Sequence, residues 1–357
     1  MAVRERERAR ARERLTSLAG SSLEAEEARV AAIAILRRAV GFERWCWPLT
    51  DPGSGVSTSG IGELDFWPMI PRIAALEEHG DVVRKPRLVL GRRASVSLSA
   101  AAGGDLARST RWHECLRPYG IGDELMTACR DRQGCWGSVE LMRDAGDAPF
   151  DDADTQLLDE LAPVLGTLLR RSFLQSWRAE AAAGVLPAPA TVILDAELEP
   201  TSWTPSFREW LRELAAAPGM LPPALYEIGT RVLTPAAEAT GLPSTVRIRT
   251  RAQRWAVAEG APLEGGDRGR VAITLREATA DEIFDLLSRT HDFTRREREL
   301  VALVLDGLAT KQLAEALCIS PHTVQDHLKS VFAKTQVRSR RELVSHLGGR
   351  EPREARV

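Results

Sequence analysis

At 357 residues, 44% of them hydrophobic, the chain is too long for one compact core and apolar enough to build two or three. No apolar run approaches the ~18 residues that span a membrane, and the opening MAVRERERARARERL has no apolar signal-peptide core, so a cytoplasmic protein without a membrane partner is expected. Five cysteines, an odd number in a long chain, fit reduced thiols rather than a disulfide framework.

The formal charge of -2 names no nucleic-acid partner, but its distribution does. From Ser288 onward there are 13 Lys+Arg against 9 Asp+Glu, whereas upstream there are 35 against 41. A basic end on an acidic body is the asymmetry of a DNA-reading tail. Lysine occurs only at Lys85, Lys311, Lys329 and Lys334, three of them in that basic end.

In chain order, residues 1–20 alternate Arg and Glu and form either a solvated helix or a disordered arm. Ser21 with Glu24 reads as a capping box for a helix to about Val40, whose apolar face includes Val30, Ile33, Leu36 and Val40. Strand-like runs at 42–47 and 56–61 flank an Asp51-Pro52-Gly53 turn, and Pro68 and Pro71 bracket the start of a helix through Leu76. Residues 124–130 and 135–142 pair as a hairpin around the 131–134 turn. A long amphipathic helix capped near Asp151 follows, with Leu157, Leu158, Leu161, Val164, Leu165, Leu168 and Leu169 on one face. The order of these elements over 21–178, and the stretch CWGSVELMRDAGDAPFDDADTQLLDELAPVLGTLL in particular, resembles a GAF sensor domain. The resemblance implies an antiparallel sheet with helices on one face and a pocket on the other.

Residues 179–190 are a linker rich in Ala, Pro and Gly. Beyond it, over 191–278, a strand at 191–194 leads to Trp203 and a helix carrying Phe207, Trp210, Leu211 and Leu214, and three alternating runs close the segment at 244–249, 255–259 and 271–275. Its opening, ILDAELEPTSWTPSFREWL, resembles a PAS-like domain. A short acidic helix at 280–287, within a linker of 279–292, joins it to the basic end.

That end, 293–348, divides into four short helices. Thr294 with Glu297 is a capping box, Gly307 is a stop, and Thr310 caps a second helix ending near Cys318. Ser320 and Pro321 start a third, and Ser339 with Glu342 caps a fourth that stops at Gly348. On the third helix Val324, Leu328 and Val331 fall on one face, directed at Leu300, Val304, Leu313, Ala314 and Leu317. His322, Gln325, Asp326 and Lys329 fall on the other, where side chains can meet base edges and phosphates. A tail of 349–357 follows.

The stretch resembles the LuxR/FixJ-type helix-turn-helix family through Thr294, Arg296, Glu297, Glu299, Gly307, Leu308, Lys311, Ala314, Leu317, Ser320, Thr323, Val324, His327, Lys334 and Val337. The resemblance implies an all-α four-helix DNA-binding domain behind two α+β sensor domains. Its partners would be double-stranded DNA through the major groove, a second copy of the chain, the transcription machinery and an unknown small-molecule effector. His322, Gln325 and Asp326 stand where relatives touch bases; Gln pairs bidentately with adenine and Asp accepts from cytosine N4. Lys311, Thr323, Lys329, Lys334 and Arg338 would hold phosphates, and Leu343, Val344 and Leu347 would form the dimer contact. Relatives usually carry a basic residue in place of Gln325 and a leucine in place of Thr335.

Trp45, Trp47, Trp67, Trp112 and Trp136 either line an effector pocket or pack the core. Cys46, Cys115, Cys129 and Cys135 with His113 have the chemistry of a zinc or redox site but not the spacing, so neither a metal nor a cofactor is expected; Cys129 and Cys135 could bond across the hairpin turn. No G-x4-G-K-[ST] loop, H-E-x-x-H or G-x-S-x-G turn occurs, so an enzyme is not expected. Two competing readings are a protein-contact module in which Asp326 repels phosphate, and an effector-processing enzyme fused to a DNA reader.

Overall fold

The computed structural model describes the chain apart from residues 1, 64–66, 180–183, 217, 236–238, 266–268 and 348–357, and apart from the side chains of 2, 3, 67 and 176–179. Gly348, the 349–357 tail and part of the 179–190 linker therefore lie outside the described residues. The chain falls into two compact units, Met1–Glu277 and Ala278–Val357.

The first unit opens with α1 (Ala2–Leu18), α2 (Ala25–Ala39), β1 (Arg44–Thr50), β2 (Ser57–Gly62), α3 (Ile70–Glu78), α4 (Lys85–Leu90), β3 (Ser95–Ser97) and α5 (Leu98–Ala101). The hairpin β4 (Ile121–Asp131) and β5 (Gly134–Asp144) and the long α6 (Asp152–Ala179) follow. The five strands form an antiparallel sheet in the order β2-β1-β5-β4-β3. Strand alternation sends Trp45 and Trp47 to one face, where they join Leu15, Ile33, Leu36, Leu158 and Leu165 in a core beneath α1, α2 and α6.

Two expectations change here. Val30 is half exposed, because the buried stripe of α2 runs through the alanines Ala28, Ala32 and Ala39 together with Ile35, small side chains that let neighbouring helices come close. Ser21 is not its cap; Glu24 holds that position without a side-chain bond. Residues 2–18, for all their charge, are an integrated helix. Ala11, Leu15 and Ala19 are buried at i, i+4 and i+8, and the buried Asp154 receives Arg8 at 2.7 Å, Arg143 at 3.1 Å and Arg4 at 3.2 Å. Arg12 meets Glu160 at 2.7 Å.

After the linker come β6 (Ala190–Leu194), β7 (Pro200–Trp203), α7 (Phe207–Glu213), α8 (Pro223–Leu233), β8 (Thr245–Arg249), β9 (Trp255–Pro262) and β10 (Val271–Glu277). They form a second antiparallel sheet, β7-β6-β10-β9-β8, with the same order of strands as the first: second, first, fifth, fourth, third. In space the two sheets are not separate. Val56 and Ala74 of the first segment lie in the second sheet's core with Leu225, Ile228, Val246 and Ile248, and α3 packs on α8.

Three buried ion pairs cross the same boundary. Lys85 Nζ donates to Glu227 at 3.0 Å and to Ser57 Oγ at 2.7 Å; Arg231 grips Glu78 at 2.8 and 3.1 Å; Arg247 grips Asp51 at 2.7 and 2.9 Å. Burial alone would raise the Asp51 carboxyl, but the Arg247 bonds outweigh it and hold the group below the usual range.

The second unit contains α9 (Ala280–Thr290), α10 (Arg295–Leu305), α11 (Thr310–Ala316), α12 (Pro321–Thr335) and α13 (Arg340–Leu347). Leu300, Val304, Leu313, Ala314, Leu317, Val324, Leu328 and Val331, the residues expected to form its core, are all buried. Its first helix, capped by a Thr279–Glu282 box, belongs to this unit, with Asp285 bound to Arg289 on the same helix and to Arg298 of α10. No helix among the described residues is long and apolar enough to cross a membrane.

Removing one partner of a buried pair strands the other. Lys85→Ala is therefore expected to lower the stability of the first unit by about 3–5 kcal/mol in denaturant unfolding, and Lys85→Met combined with Glu227→Leu to recover most of that loss.

Candidate functional site

The fourth helix of the second unit, α12, which is the third of the stretch 293–348, starts sharply because its cap is complete. Ser320 Oγ accepts the Thr323 N–H at 3.1 Å, Pro321 occupies the first helical position, and the preceding Cys318 adopts φ 53° to make the turn from α11. At its far end Gln336 closes the helix in the left-handed region. One side of α12 is spent on the core through Val324, Leu328 and Val331; the other carries His322, Gln325, Asp326 and Lys329, all exposed.

On that outer row Asp326 is the centre. His322 Nδ1 lies 3.1 Å from one of its oxygens and Lys329 Nζ 3.6 Å from the other, with His322 and Lys329 themselves 87% and 76% exposed. Such solvated pairs contribute at most about 1 kcal/mol and yield readily to a partner. The carboxylate is thus flanked by an imidazole nitrogen and an ammonium, and the ammonium charge offsets part of its repulsion of phosphate. Lys311 on α11 and Arg338 in the turn before α13 are exposed as well.

Three expected contacts are placed differently. Thr323 is engaged at the helix start, its hydroxyl 2.9 Å from Ser320 Oγ. Lys334 is turned inward: Nζ donates to Glu297 at 2.5 Å and to the Asp292 carbonyl at 2.9 Å, while Ser330 donates to the other Glu297 oxygen at 2.6 Å. Leu343 and Leu347 are buried, with α13 packed on α10, because their i, i+4 spacing marks the inward stripe of a short amphipathic helix; only Val344 remains partly exposed.

The scaffold has further parts, beginning with the capping box expected from the sequence. Thr294 and Glu297 form the capping box of α10, so one carboxylate both caps that helix and anchors α12. Arg296 donates to the Leu317 carbonyl and Arg340 to the Leu308 carbonyl, satisfying groups that helix ends leave open. Thr310 is the first residue of α11 rather than its cap. Ala309 holds that position and, lacking a side-chain acceptor, contributes only its N–H, which Gln312 accepts at 2.7 Å. Thr335, buried, returns its hydroxyl to the Val331 carbonyl at 2.8 Å.

In the first unit a cavity of about 900 Å³ opens on the face of the first sheet opposite its helix layer, lined by Cys46, Pro48, Ile73, Glu77, Arg111, Glu124, Glu140, Met142 and Glu227 among others. Three of the tryptophans expected there, Trp45, Trp47 and Trp112, are elsewhere. Trp45 and Trp47 face the helix layer, since β1 alternates and its cavity side is Cys46 and Pro48. Trp112 packs beside the cavity with its indole N–H on the Ile121 carbonyl at 3.0 Å but does not line it, and the Trp67 side chain lies outside the described residues.

Cys129 belongs to the helix-side core and Cys135 to the opposite one, which removes a bond across the hairpin turn; burial raises both thiols. No group of three or more His, Cys, Asp or Glu among the described residues is arranged to hold a metal.

Four short helices with a capped, half-exposed third helix define a helix-turn-helix DNA-binding domain. Residues 291–347 match the family model described as "Bacterial regulatory proteins, luxR family", so the chain carries a LuxR-family domain at its C-terminal end. It is 50% identical over 52 residues to a monoamine regulon transcriptional regulator of Klebsiella aerogenes, covering 15% of this chain and 23% of that one. It is 34% identical over 82 residues to the transcriptional regulatory protein FixJ of Rhizobium meliloti, covering 23% and 40%. The chain thus spans less than half the length of these relatives. Among solved structures, Escherichia coli SdiA aligns over 95% of each chain at 12% identity and a TM-score of 0.33, too low to define a shared overall fold.

Burial would raise the Glu297 carboxyl, but bonds from Lys334, Ser330 and Thr294 hold it below the usual range. A depressed carboxylate stabilises the folded state above its unfolded value, about 4.3, and that contribution is lost as pH falls through the folded value. Hydrogen-exchange protection of α10 and α12 in the full chain is expected to drop below about pH 4, and Glu297→Gln to lower it at neutral pH while flattening the acid dependence.

Proposed function

We propose that the protein is a transcription regulator that binds double-stranded DNA by laying α12 in the major groove, under the control of its first unit. The observation that carries this is the two-faced α12, one side closed into the core and the other an exposed row of His322, Gln325, Asp326 and Lys329 on a rigidly capped helix. The LuxR-family match over 291–347 supports it. His322, Gln325 and Asp326 read bases, while Lys311, Lys329 and Arg338 bind phosphates and set register. Thr323 and Lys334 contribute through the helix start and the Glu297 anchor. A cytoplasmic homodimer meets half-sites about 34 Å apart through the outer side of α13, where Val344 is the available apolar group.

We read residues 21–178 as a GAF-like and 191–278 as a PAS-like sensor domain, with 1–20 as a helical extension of the first and 279–292 as the connection to the reader at 293–348. Support comes from the repeated strand order and from a sheet with helices on one face and a cavity on the other. Such a unit senses a small molecule or a partner.

Gel retardation of genomic fragments by the full chain, weakened by moderate salt, tests the reading; absence of retardation at low salt favours the protein-contact alternative. On a mapped operator, Lys329→Ala is expected to weaken binding to all sequences and reduce the salt slope by about 1, whereas Gln325→Ala relaxes preference at one base pair by about 1–3 kcal/mol. Identical behaviour of the two variants would contradict this docking.

A further inference from the structure

The cavity of the first unit has an unequal charge lining. Six glutamates, at 26, 63, 77, 124, 140 and 227, face a single cation, Arg111, among the described lining residues. That cation is already engaged: Arg111 Nη1 lies 3.3 Å from Glu77, and Nη2 bonds Glu124. Lys85, the other buried cation nearby, is held by Glu227 and Ser57. Two carboxylates are left short of partners. Glu124, 1% exposed, has its Oε1 buried with no hydrogen bond, and Glu140, 8% exposed, receives only the Ser138 hydroxyl at 3.3 Å among the bonds described.

Apart from the hydroxyls of Ser57, Thr58 and Ser59, the remaining side chains of the wall are mainly apolar, from Ile70, Ile73, Leu116 and Met142 on one side to Pro222 and Ile248 on the other. A buried carboxylate oxygen without a partner is costly, and a donor arriving with a ligand relieves that cost.

We infer that this cavity binds a small organic cation, an ammonium-type head seated at Glu124 and Glu140 with an apolar body against Ile73 and Met142. A metal ion does not fit, since no three of the described acidic, His or Cys side chains are arranged to ligate one. An anion would meet carboxylates on every side and would have to displace Glu124 from Arg111. The walls come from both sheet-bearing segments, the second through α8, the residues before it and Ile248, so a bound cation touches both halves of the unit beside the Lys85–Glu227 pair and stabilises their junction by mass action. The binding claim stands on the cavity alone; its regulatory consequence rests on the DNA-binding reading above.

Proton linkage follows from the same groups. Burial, with Glu77 and Glu124 nearby, pushes Glu140 well above the usual carboxylate range, and burial pushes Glu77 up to about 7 against the pull of Arg111 and Lys85. The titratable groups lining the site are Glu26 of α2, Cys46 of β1, Glu63 just after β2, Glu77 of α3, Arg111, Glu124 of β4, Glu140 of β5 and Glu227 of α8, with Lys85 acting on Glu77, Glu140 and Glu227 from beside the cavity. A cation favours the ionised carboxylates, so binding expels protons and tightens as pH rises through 7.

Calorimetry on the full chain tests this with two isosteric sets: hexylammonium, hexanol and hexanoate, and benzylammonium, benzyl alcohol and benzoate. In at least one set the ammonium member should bind saturably, at least tenfold tighter than its alcohol and carboxylate, and tighter at pH 8 than at pH 6. Glu140→Gln, which breaks no ion pair, should cost at least tenfold. Glu124→Gln should do the same, provided its melting curve shows a folded protein.

Equal or tighter binding of an alcohol or carboxylate, no saturable binding in either set, or ammonium affinity unchanged in Glu140→Gln would overturn the inference. DNA retardation measured separately on the same protein keeps the two readings apart: ammonium binding without retardation removes the DNA reading and leaves the site, and retardation without ammonium binding does the reverse.

Discussion

The two sheets of the first unit act as one body because three ion pairs cross between them away from water. Lys85–Glu227, Arg231–Glu78 and Arg247–Asp51 are each nearly or fully buried, and each side chain has enough partners to replace its lost hydration. Apolar contact alone would let sheets of this kind slide, whereas a buried charge tolerates very few positions. The cavity depends on that constraint. One wall belongs to the first sheet and its helices and the other to α8, the segment before it and Ile248 of β8, and Glu227 serves both the junction and the lining.

A smaller version of the same device organises the second unit. Glu297 takes the Thr294 N–H as a cap and Lys334 and Ser330 as side-chain donors, so the start of α10 and the last turns of α12 share one carboxylate. The pose of α12 is thereby set from its inner side, leaving His322, Gln325, Asp326 and Lys329 free of scaffold duty. A residue that looks like a phosphate contact can instead be a strut, as Lys334 is. Charge type is visible in a sequence, while the direction in which a long side chain turns is decided by the acceptor that folding brings to it.

Much of the second unit was legible because its signals are local. Caps at Thr294 and Ser320, the Pro321 start, the Gly307 stop and the i, i+4, i+7 spacing of Val324, Leu328 and Val331 all act within one or two helical turns. The β4–β5 hairpin and α6 were legible for the same reason, each having a strong period of its own. The role of residues 2–18 was not, since Asp154, which fixes Arg4 and Arg8, stands some 150 positions away. Nor was the exposure of Val30, because a stripe of alanines carries little hydrophobic signal yet permits the closest packing.

The sequence by itself determined the helix-turn-helix and its capped third helix, because short-range periodicity and capping chemistry specify them, and it carries the basic end and the motif residues by which 291–347 match the LuxR family. Only the tertiary structure decided that two segments joined by an Ala- and Pro-rich linker pack together, with Val56 and Ala74 of the first entering the core of the second. It also decided that Trp45 and Trp47 face away from the cavity, that Leu343 and Leu347 turn inward, and that six glutamates converge on one space. Those outcomes rest on contacts between residues far apart in the chain, and a pattern along the chain does not record which distant faces will meet.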